Sequence, residues 1–287
     1  MAIIVDYSGV AIANLFAMKM NKIDENLVRH MILNSLRMYN VKCRNEYGQM
    51  ILACDGGNTW RKEIYPQYKA QRKKNREESS IDWKEFFRVL GMVRDEIREY
   101  VPFKVVHLQG VEADDVIATL VEQTQGFGKH EPVMIVSADK DFIQLQRYSN
   151  VKQFSPMTKA LVKDPDPLRY LQEHVLRGDS GDGVPNVLSG DDVFVSGSRQ
   201  TPLRAKLIDE WITNWNQLDK TMSIEQYRNF QRNQKLIDLS AIPAHKKTEI
   251  INTFESVKAG NNTLNYLISK RCTQLIECAA EFNSSTL

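Results

Sequence analysis

The first half of the chain is punctuated by short apolar runs without alternation, and each of them ends in acid. Ala2 to Val5 leads into Asp6, Met50 to Cys54 into Asp55, and Lys104 to Val111 into Glu112, Asp114 and Asp115; Val133 to Ala138 leads into Asp139 and Asp141. Runs of this length rich in Ile, Val and Leu predict strands buried on both faces of a parallel sheet. Between them the apolar positions take helical spacing, over Val10 to Met20 and Asn26 to Tyr39. The same spacing covers Ile81 to Tyr100, where Trp83, Phe86, Phe87, Leu90, Val93 and Ile97 share one face, and Glu112 to Gln123. Alternating strand and helix predicts right-handed βαβ units, hence an α/β fold with a mostly parallel twisted sheet flanked by helices.

The pattern changes beyond about Val175. Gly and Asp cluster from Gly178 to Gly183 and again at Gly190 to Asp192. Leu203 to Leu287 is helical in pattern, with Trp211, Ile212, Trp215, Tyr227, Phe230, Leu236, Ile237 and Leu239 as core candidates and Asn283 to Leu287 expected to fray. The expected organisation is therefore an α/β domain over 1–180, carrying a polar, basic segment at about 58–82, followed by a helical C-terminal subdomain over 181–287 packed on it.

Open parallel sheets bind ligands beyond the carboxyl ends of their strands. The acids that close the four runs are thus expected in one crevice, with Asp179 and Asp182 as a fifth station. Carboxylates gathered there repel by roughly 1–4 kcal/mol per close pair. They remain ionised together only around a cation, and a set made entirely of oxygen ligands suits Mg²⁺ or Mn²⁺. Asp115 and its neighbours also read as acids in the first turn of a helix, where the macrodipole favours them, but three acids in four residues exceed what capping requires.

Composition narrows the chemistry. With 287 residues the chain can bury a large core, and its net charge of +2 announces no polyanion partner by itself. The distribution is more informative. Arg61, Lys62, Lys69, Arg72, Lys73, Lys74 and Arg76 fall within one short segment in which Glu63 is the only acid, with aromatics interleaved. Metals on acids and a phosphate backbone on bases is the arrangement of a metal-dependent enzyme acting on nucleic acid; a solvated surface loop is the plainer alternative. The four cysteines have no zinc spacing and the five histidines no ligand spacing. No P-loop, G-x-S-x-G or H-E-x-x-H is present. Asp6-Tyr7-Ser8 at the end of the first run lacks the D-x-D of an aspartyl-phosphate enzyme, which favours metal-bound water as nucleophile. No membrane span and no targeting peptide is visible, so a cytoplasmic location and likewise no membrane partner are expected.

Three stretches, Trp60 to Arg72 (WRKEIYPQYKAQR), Val111 to Leu120 (VEADDVIATL) and Val136 to Leu145 (VSADKDFIQL), resemble the flap endonuclease family of 5′ nucleases, and within it the branch that includes phage ribonucleases H. The similarity extends into Val28–Ser35, Val151–Met157 and the helical C-terminus. The resemblance implies a PIN-like fold and a divalent-metal-dependent 5′→3′ exonuclease and flap endonuclease with two Mg²⁺, for which Mn²⁺ substitutes. It implies Asp6, Asp55, Glu112, Asp114 and Asp139 around one ion, with Asp115 joining directly or through water, and Asp141, Asp179 and Asp182 around the other. Lys69 and Arg72 would act on the scissile phosphate, and Arg61, Lys62, Lys73, Lys74 and Arg76 would be looser phosphate contacts. Tyr65 and Tyr68 would either stack on unpaired bases or pack the arch. Where the family carries a Gly-rich hairpin that binds a monovalent cation, this chain reads GVPNVLSGDDVF (183–194), so duplex affinity is expected to rest on Arg199, Arg204 and Lys206. The implied partners are forked, flapped or nicked DNA and RNA–DNA duplex, with a single-stranded-DNA-binding protein at the fork, and the expected state is monomeric. The competing classes are a PIN-type ribonuclease, which is shorter and lacks the basic segment, and a DNA-binding protein with a relic site, which would have lost carboxylates.

Overall fold

The computed structural model describes residues 1–18 and 22–283. The helical run expected from Val10 is described as far as Met18, while its end at Met20 and the part of the expected Asn283–Leu287 fraying beyond residue 283 lie outside that range. In chain order the main elements are β1 (Ala2–Asp6), α1 (Tyr7–Ala17), α2 (Glu25–Tyr47), β2 (Gln49–Cys54), α3 (Arg61–Ile64), α4 (Ala70–Glu77) and α5 (Trp83–Tyr100). They continue with β3 (Lys104–His107), α6 (Ala113–Gln125), β4 (Val133–Val136), β5 (Val151–Ser155), β6 (Ala160–Val162) and α7 (Pro167–Arg177). The last are α8 (Ala205–Thr213), α9 (Leu218–Thr221), α10 (Ile224–Ile237), α11 (Ala244–Ser256), α12 (Thr263–Ser269) and α13 (Thr273–Ile276).

The strands form one six-stranded sheet in the order β3-β2-β1-β4-β5-β6. The first five run parallel, and β6 turns back antiparallel to β5. β1 lies between β2 and β4, so the order reverses there, which is where open α/β sheets place their ligands. In register, Asp6 faces Ala53 and Val5 faces Val136, so Asp6, Asp55 and the β4–Asp139 turn emerge at the same edge of the sheet. The short helix opened by Asp139 is a 3₁₀ helix, Lys140–Arg147. The β5–β6 hairpin was not read as strands, since Lys152, Gln153 and the Ser155–Lys159 turn break any apolar run.

Packing divides the chain into two units. One consists of Met1–Gly57, Ser80–Lys163 and the residues from Ala244 on; the other of Asn58–Ser79 and Asp164–Pro243. This differs from a boundary near residue 180. The cause is the last segment, which returns to the sheet unit: α11 packs on α6 and β3, Lys104 Nζ donates to Phe254 O at 3.1 Å, and Tyr266, Leu267, Leu275 and Phe282 are buried in its core. In the helical unit Tyr65 and Tyr68 lie in a core with Val175, Val187, Trp211 and Phe230. Among the described residues no helix is long and apolar enough to cross a membrane.

Helix ends follow local chemistry. α2 starts on Asp24, which accepts from Leu27 N at 2.9 Å, and stops at Gly48 with φ 76°. α10 carries a capping box of Ser223 and Gln226. Inside the sheet unit a buried charge ties the last helices to the first: Glu96 receives Arg29 Nε at 2.8 Å, Tyr266 Oη at 2.8 Å and Lys270 Nζ at 2.6 Å. Burial pushes the Glu96 carboxyl up, but these three partners overcome it and hold it below the usual range. Breaking such a pair strands the other charge, so Arg29→Met should destabilise the protein by about 3 kcal/mol. Denaturant unfolding followed by tryptophan fluorescence measures this; an unchanged midpoint would refute the role given to the pair.

Candidate active site

Each acid at the sheet edge is held by its neighbours. Asp6, the last residue of β1, caps α1: its Oδ1 accepts from Gly9 N at 2.8 Å and its Oδ2 from Ser137 Oγ at 2.9 Å. A Cβ at Gly9 would stand 2.3 Å from Asp6 Oδ2, so a side chain there would displace the carboxylate. Asp55 follows β2, and it accepts from Ser8 Oγ at 2.8 Å and from Ala113 N at 3.0 Å. The turn beneath it depends on Gly56, whose Cβ would meet Leu108 O at 1.7 Å. Asp139 accepts from Asp141 N at 2.9 Å, and buried Gln153 donates to Ser137 O and Asp139 O at 3.1 and 2.6 Å.

Glu112 and Asp115 form a reciprocal capping box at the start of α6, with Glu112 N donating to Asp115 Oδ2 at 3.0 Å. Asp115 is fully buried, whereas Asp114 is half-buried in the first turn. The capping use of Asp115 weighed above is therefore realised.

The electrostatics centre on Asp6. Burial above all, with repulsion from Asp55 and Asp139, lifts its pKa to about 6, and the hydrogen bonds from Gly9 and Ser137 only partly oppose this. These acids thus feel one another. No three of the sheet-edge carboxylates bring ligand atoms within 4.8 Å of one another among the described residues, as repulsion between uncompensated charges favours. An all-oxygen donor set suits a hard divalent cation, and Asp6, Asp55, Glu112, Asp114 and Asp139 are the candidates to hold one.

In the helical unit the basic segment is only partly a surface feature. Arg61 is buried, with Nε donating to Leu236 O at 2.9 Å and its guanidinium 4.6 Å from the Trp60 ring centroid, so it braces the core and does not reach phosphate. Tyr65 and Tyr68 are buried too, which settles their two readings in favour of packing. Tyr65 Oη donates to Asp191 O at 2.6 Å and Tyr68 Oη to Asp182 Oδ2 at 2.7 Å. Lys62, Lys73, Lys74 and Arg76 are exposed on α3 and α4, as are Arg199, Arg204 and Lys206 near α8. Asp191 binds Arg228 and Arg232.

Lys69 and Arg72 converge on Asp182. Lys69 Nζ lies 3.5 Å from Asp182 Oδ2, Arg72 pairs with Oδ1, and Lys69 N donates to Asp182 O at 2.7 Å. Lys69 holds a left-handed backbone, φ 58°, to begin α4. Asp182 is thus engaged by two cations, which was not foreseen for a metal ligand. Asp179 folds the Gly178–Val184 turn, accepting from Gly181 N at 2.7 Å and Asp182 N at 3.1 Å, with His174 Nε2 3.4 Å away. Although burial raises its pKa, His174 and those amides bring it below the ordinary carboxylate range. Sequence reading missed His174, five residues before Asp179 on α7, and the serines Ser8 and Ser137; only their closeness in sequence to the acids hinted at them.

A parallel sheet whose reversal point gathers metal-ready carboxylates, in a chain that also presents a cation pair, defines a metal-dependent phosphodiesterase class. Comparison with known proteins makes that specific. Residues 1–173 match the model of the 5′-3′ exonuclease N-terminal resolvase-like domain, and residues 170–282 match that of the T4 RNase H C-terminal domain. The chain belongs to the 5′-3′ exonuclease family and is a nuclease. It is 32% identical over 266 residues to the ribonuclease H of Enterobacteria phage T4, covering 89% of this chain and 86% of that one. Two bacteriophage T5 structures share the fold. One is a 5′-exonuclease with bound zinc (TM-score 0.61, 20% identity, 90% of this chain and 99% of that one). The other is a flap endonuclease complex with DNA and metal ions (TM-score 0.58, 22% identity, 89% and 99%).

The raised pKa of Asp6 gives a signed expectation. A carboxyl at about 6 when folded, against 3.8 in the unfolded chain, favours the folded state below pH 4, and that contribution is lost as pH rises through 6. Without metal, wild-type protein should therefore lose up to about 3 kcal/mol relative to Asp6→Asn between pH 4 and 7.5. Thermal unfolding in EDTA at both pH values tests this, and parallel pH curves for the two proteins would refute it.

Proposed function

We propose that the chain is a divalent-metal-dependent 5′→3′ exonuclease and flap endonuclease acting on RNA–DNA and DNA duplexes, removing RNA primers and the adjacent DNA during lagging-strand synthesis. The observation that carries this reading is the set of acids at the reversal point of the sheet, where burial, together with repulsion from Asp55 and Asp139, lifts Asp6 to about 6. Asp6, Asp55, Glu112, Asp114 and Asp139 would hold Mg²⁺, which when bound supplies an activated water and neutralises charge on the leaving oxygen. A second ion on Asp141, Asp179 and Asp182 rests on the family resemblance alone.

The chain's own groups do the remaining work. Ser8, Ser137, Gly9 N and Ala113 N orient the carboxylates, so that ligand oxygens are preset before a cation arrives. Lys69 and Arg72, poised on Asp182, would exchange that carboxylate for substrate phosphate and stabilise the charge that builds on it. Exposed Lys62, Lys73, Lys74, Arg76, Arg199, Arg204 and Lys206 would grip the phosphate backbone without reading sequence.

A 5′-labelled flap or RNA–DNA duplex should be shortened from its 5′ end in Mg²⁺ and left intact in EDTA; activity surviving EDTA would sink the proposal. Asp139→Asn should abolish cutting with near-normal DNA binding. Lys69→Ala should slow single-turnover cleavage by about 10²–10³. If it changed only the salt dependence of binding, Lys69 would be a phosphate grip and nothing more.

A further inference from the structure

The β5–β6 hairpin closes one side of the sheet, and the face it shares with α2 is partly open. In β5 the alternate residues Val151, Gln153 and Ser155 are buried, whereas Lys152 is exposed and Phe154 half-buried on the opposite face. Leu161 in β6 pairs with Phe154, so it lies on that second face, and it is 44% exposed. α2 packs on β1, β2 and β4, and its rim reaches β5 through two contacts. Tyr39 meets the Phe154 ring edge-on at 5.9 Å, and Lys42 Nζ stands 4.2 Å from the centroid of the same ring. A cavity of about 300 Å³ lies between rim and hairpin, with Tyr39, Lys42 and Glu46 lining it from the helix and Phe154, Lys159 and Leu161 from the hairpin.

Charge around this cavity is one-sided. Glu46 is the one acid in its lining, and Lys152 already engages it at 3.0 Å. Lys42, Lys159 and Lys163 have no carboxylate partner among the described residues. Lys159 and Lys163 bracket Leu161, each two residues away. Beside β6 lies β5 on one side and, among the described residues, no strand on the other. Lysines on such an edge guard against pairing with a second copy. Two chains joined antiparallel about Leu161 would set Lys159 of each against Lys163 of the other, and like charges directly opposite repel. A strand with acids at those two positions is attracted instead. Nucleic acid would also satisfy lysines, but it has no row of amides and carbonyls to meet the open edge, whereas an extended peptide offers both. The residue of such a strand opposite Leu161 projects on the cavity face, where an apolar side chain covers Leu161.

We propose that the outer edge of β6, with the adjoining cavity, docks an acidic extended segment of another protein as an added strand of the pattern acid-x-apolar-x-acid. Its acids meet Lys159 and Lys163, its central side chain meets Leu161 and the cavity, and Lys42 adds a further cation there. This goes beyond the nuclease reading and stands independently of it. The test titrates the full chain with a fluorescein-labelled peptide, Thr-Asp-Thr-Leu-Thr-Asp-Thr, followed by anisotropy and by hydrogen exchange. The peptide should bind and slow amide exchange in residues 157–163. The same peptide with lysine for aspartate should not bind, nor should the aspartate peptide methylated on every backbone nitrogen, which keeps the charges and loses the donors. Lys159→Glu combined with Lys163→Glu should weaken the aspartate peptide by about tenfold or more and bind the lysine peptide in its place. Structural damage does not produce such a swap. Equal binding of the methylated and unmethylated peptides would overturn the added strand in favour of loose surface charge. A single-stranded oligonucleotide that protects residues 157–163 where the peptide does not would overturn it in favour of nucleic acid. A concentration-dependent dimer that protects them without peptide would overturn it in favour of a second copy.

Discussion

Mutual repulsion among carboxylates at one edge of a parallel sheet is the constraint on which the catalytic half of this molecule depends. The strand order puts β1 between β2 and β4, and register brings Asp6, Asp55 and Asp139 to the same edge. Nothing in hydrophobic packing requires that arrangement, and burial makes it worse for Asp6. The surrounding sequence is arranged to tolerate it. Backbone amides at Gly9 and Ala113 and hydroxyls at Ser8 and Ser137 give the charges donors, while Gly9 and Gly56 give them room. Hydrogen bonds of this kind reduce the repulsion without removing it.

The helical unit solves the opposite problem. Its basic segment would repel itself if every side chain were left in solvent. Instead Arg61 is taken into the core, Asp182 engages Lys69 and Arg72, and Asp191 engages Arg228 and Arg232. The glycine turn that presents Asp182 is closed by paired amides of Asp179 and Val184 at 2.8 and 2.7 Å, and Gly178 and Gly183 both take positive φ to permit it. A modest net charge of +2 therefore conceals strong local charges of each sign. Asp191 has a structural use: it clamps α10 through Arg232, a side chain only 8% exposed.

The sheet was legible because strands buried on both faces leave uninterrupted apolar runs, and because an acid at the end of such a run has no packing reason to be there. The α5 face was legible for the corresponding reason of helical spacing. The β5–β6 hairpin was not, since an edge hairpin with Lys152 and Lys159 carries neither signal. The return of α11–α13 to the sheet unit was equally hidden, because an amphipathic helix declares that it has a buried face but not what covers it. Site residues divided along the same line. Residue type and spacing suggested which side chains carry charge, yet the burial of Arg61, Tyr65 and Tyr68 and the pairing of Asp182 depend on contacts with residues more than a hundred positions away. The chemistry of a side chain is local in sequence, whereas the partner that neutralises it is not.

Three local conformations are unfavourable when judged alone: the buried carboxylate of Asp6, the left-handed backbone of Lys69 and the mid-helix glycine at 91. Strained or destabilising features of this kind cost on the order of 1–3 kcal/mol each and persist where the surroundings over-determine them. Each is in fact held by several contacts. Ser137 and Gly9 hold Asp6, the Asp182 carbonyl and carboxylate hold Lys69, and the buried face of α5, with Phe86, Val89, Leu90 and Val93, carries the helix through Gly91. A chain shaped for stability alone would relieve all three with single substitutions, an amide at 6, a glycine at 69 and an alanine at 91. The first two of those changes would remove a candidate metal oxygen and a candidate phosphate cation, and the third would only narrow the opening that Gly91 lines beside Asp55. Local instability and candidate chemistry coincide at all three places, which is where a chain under functional constraint is expected to break local rules.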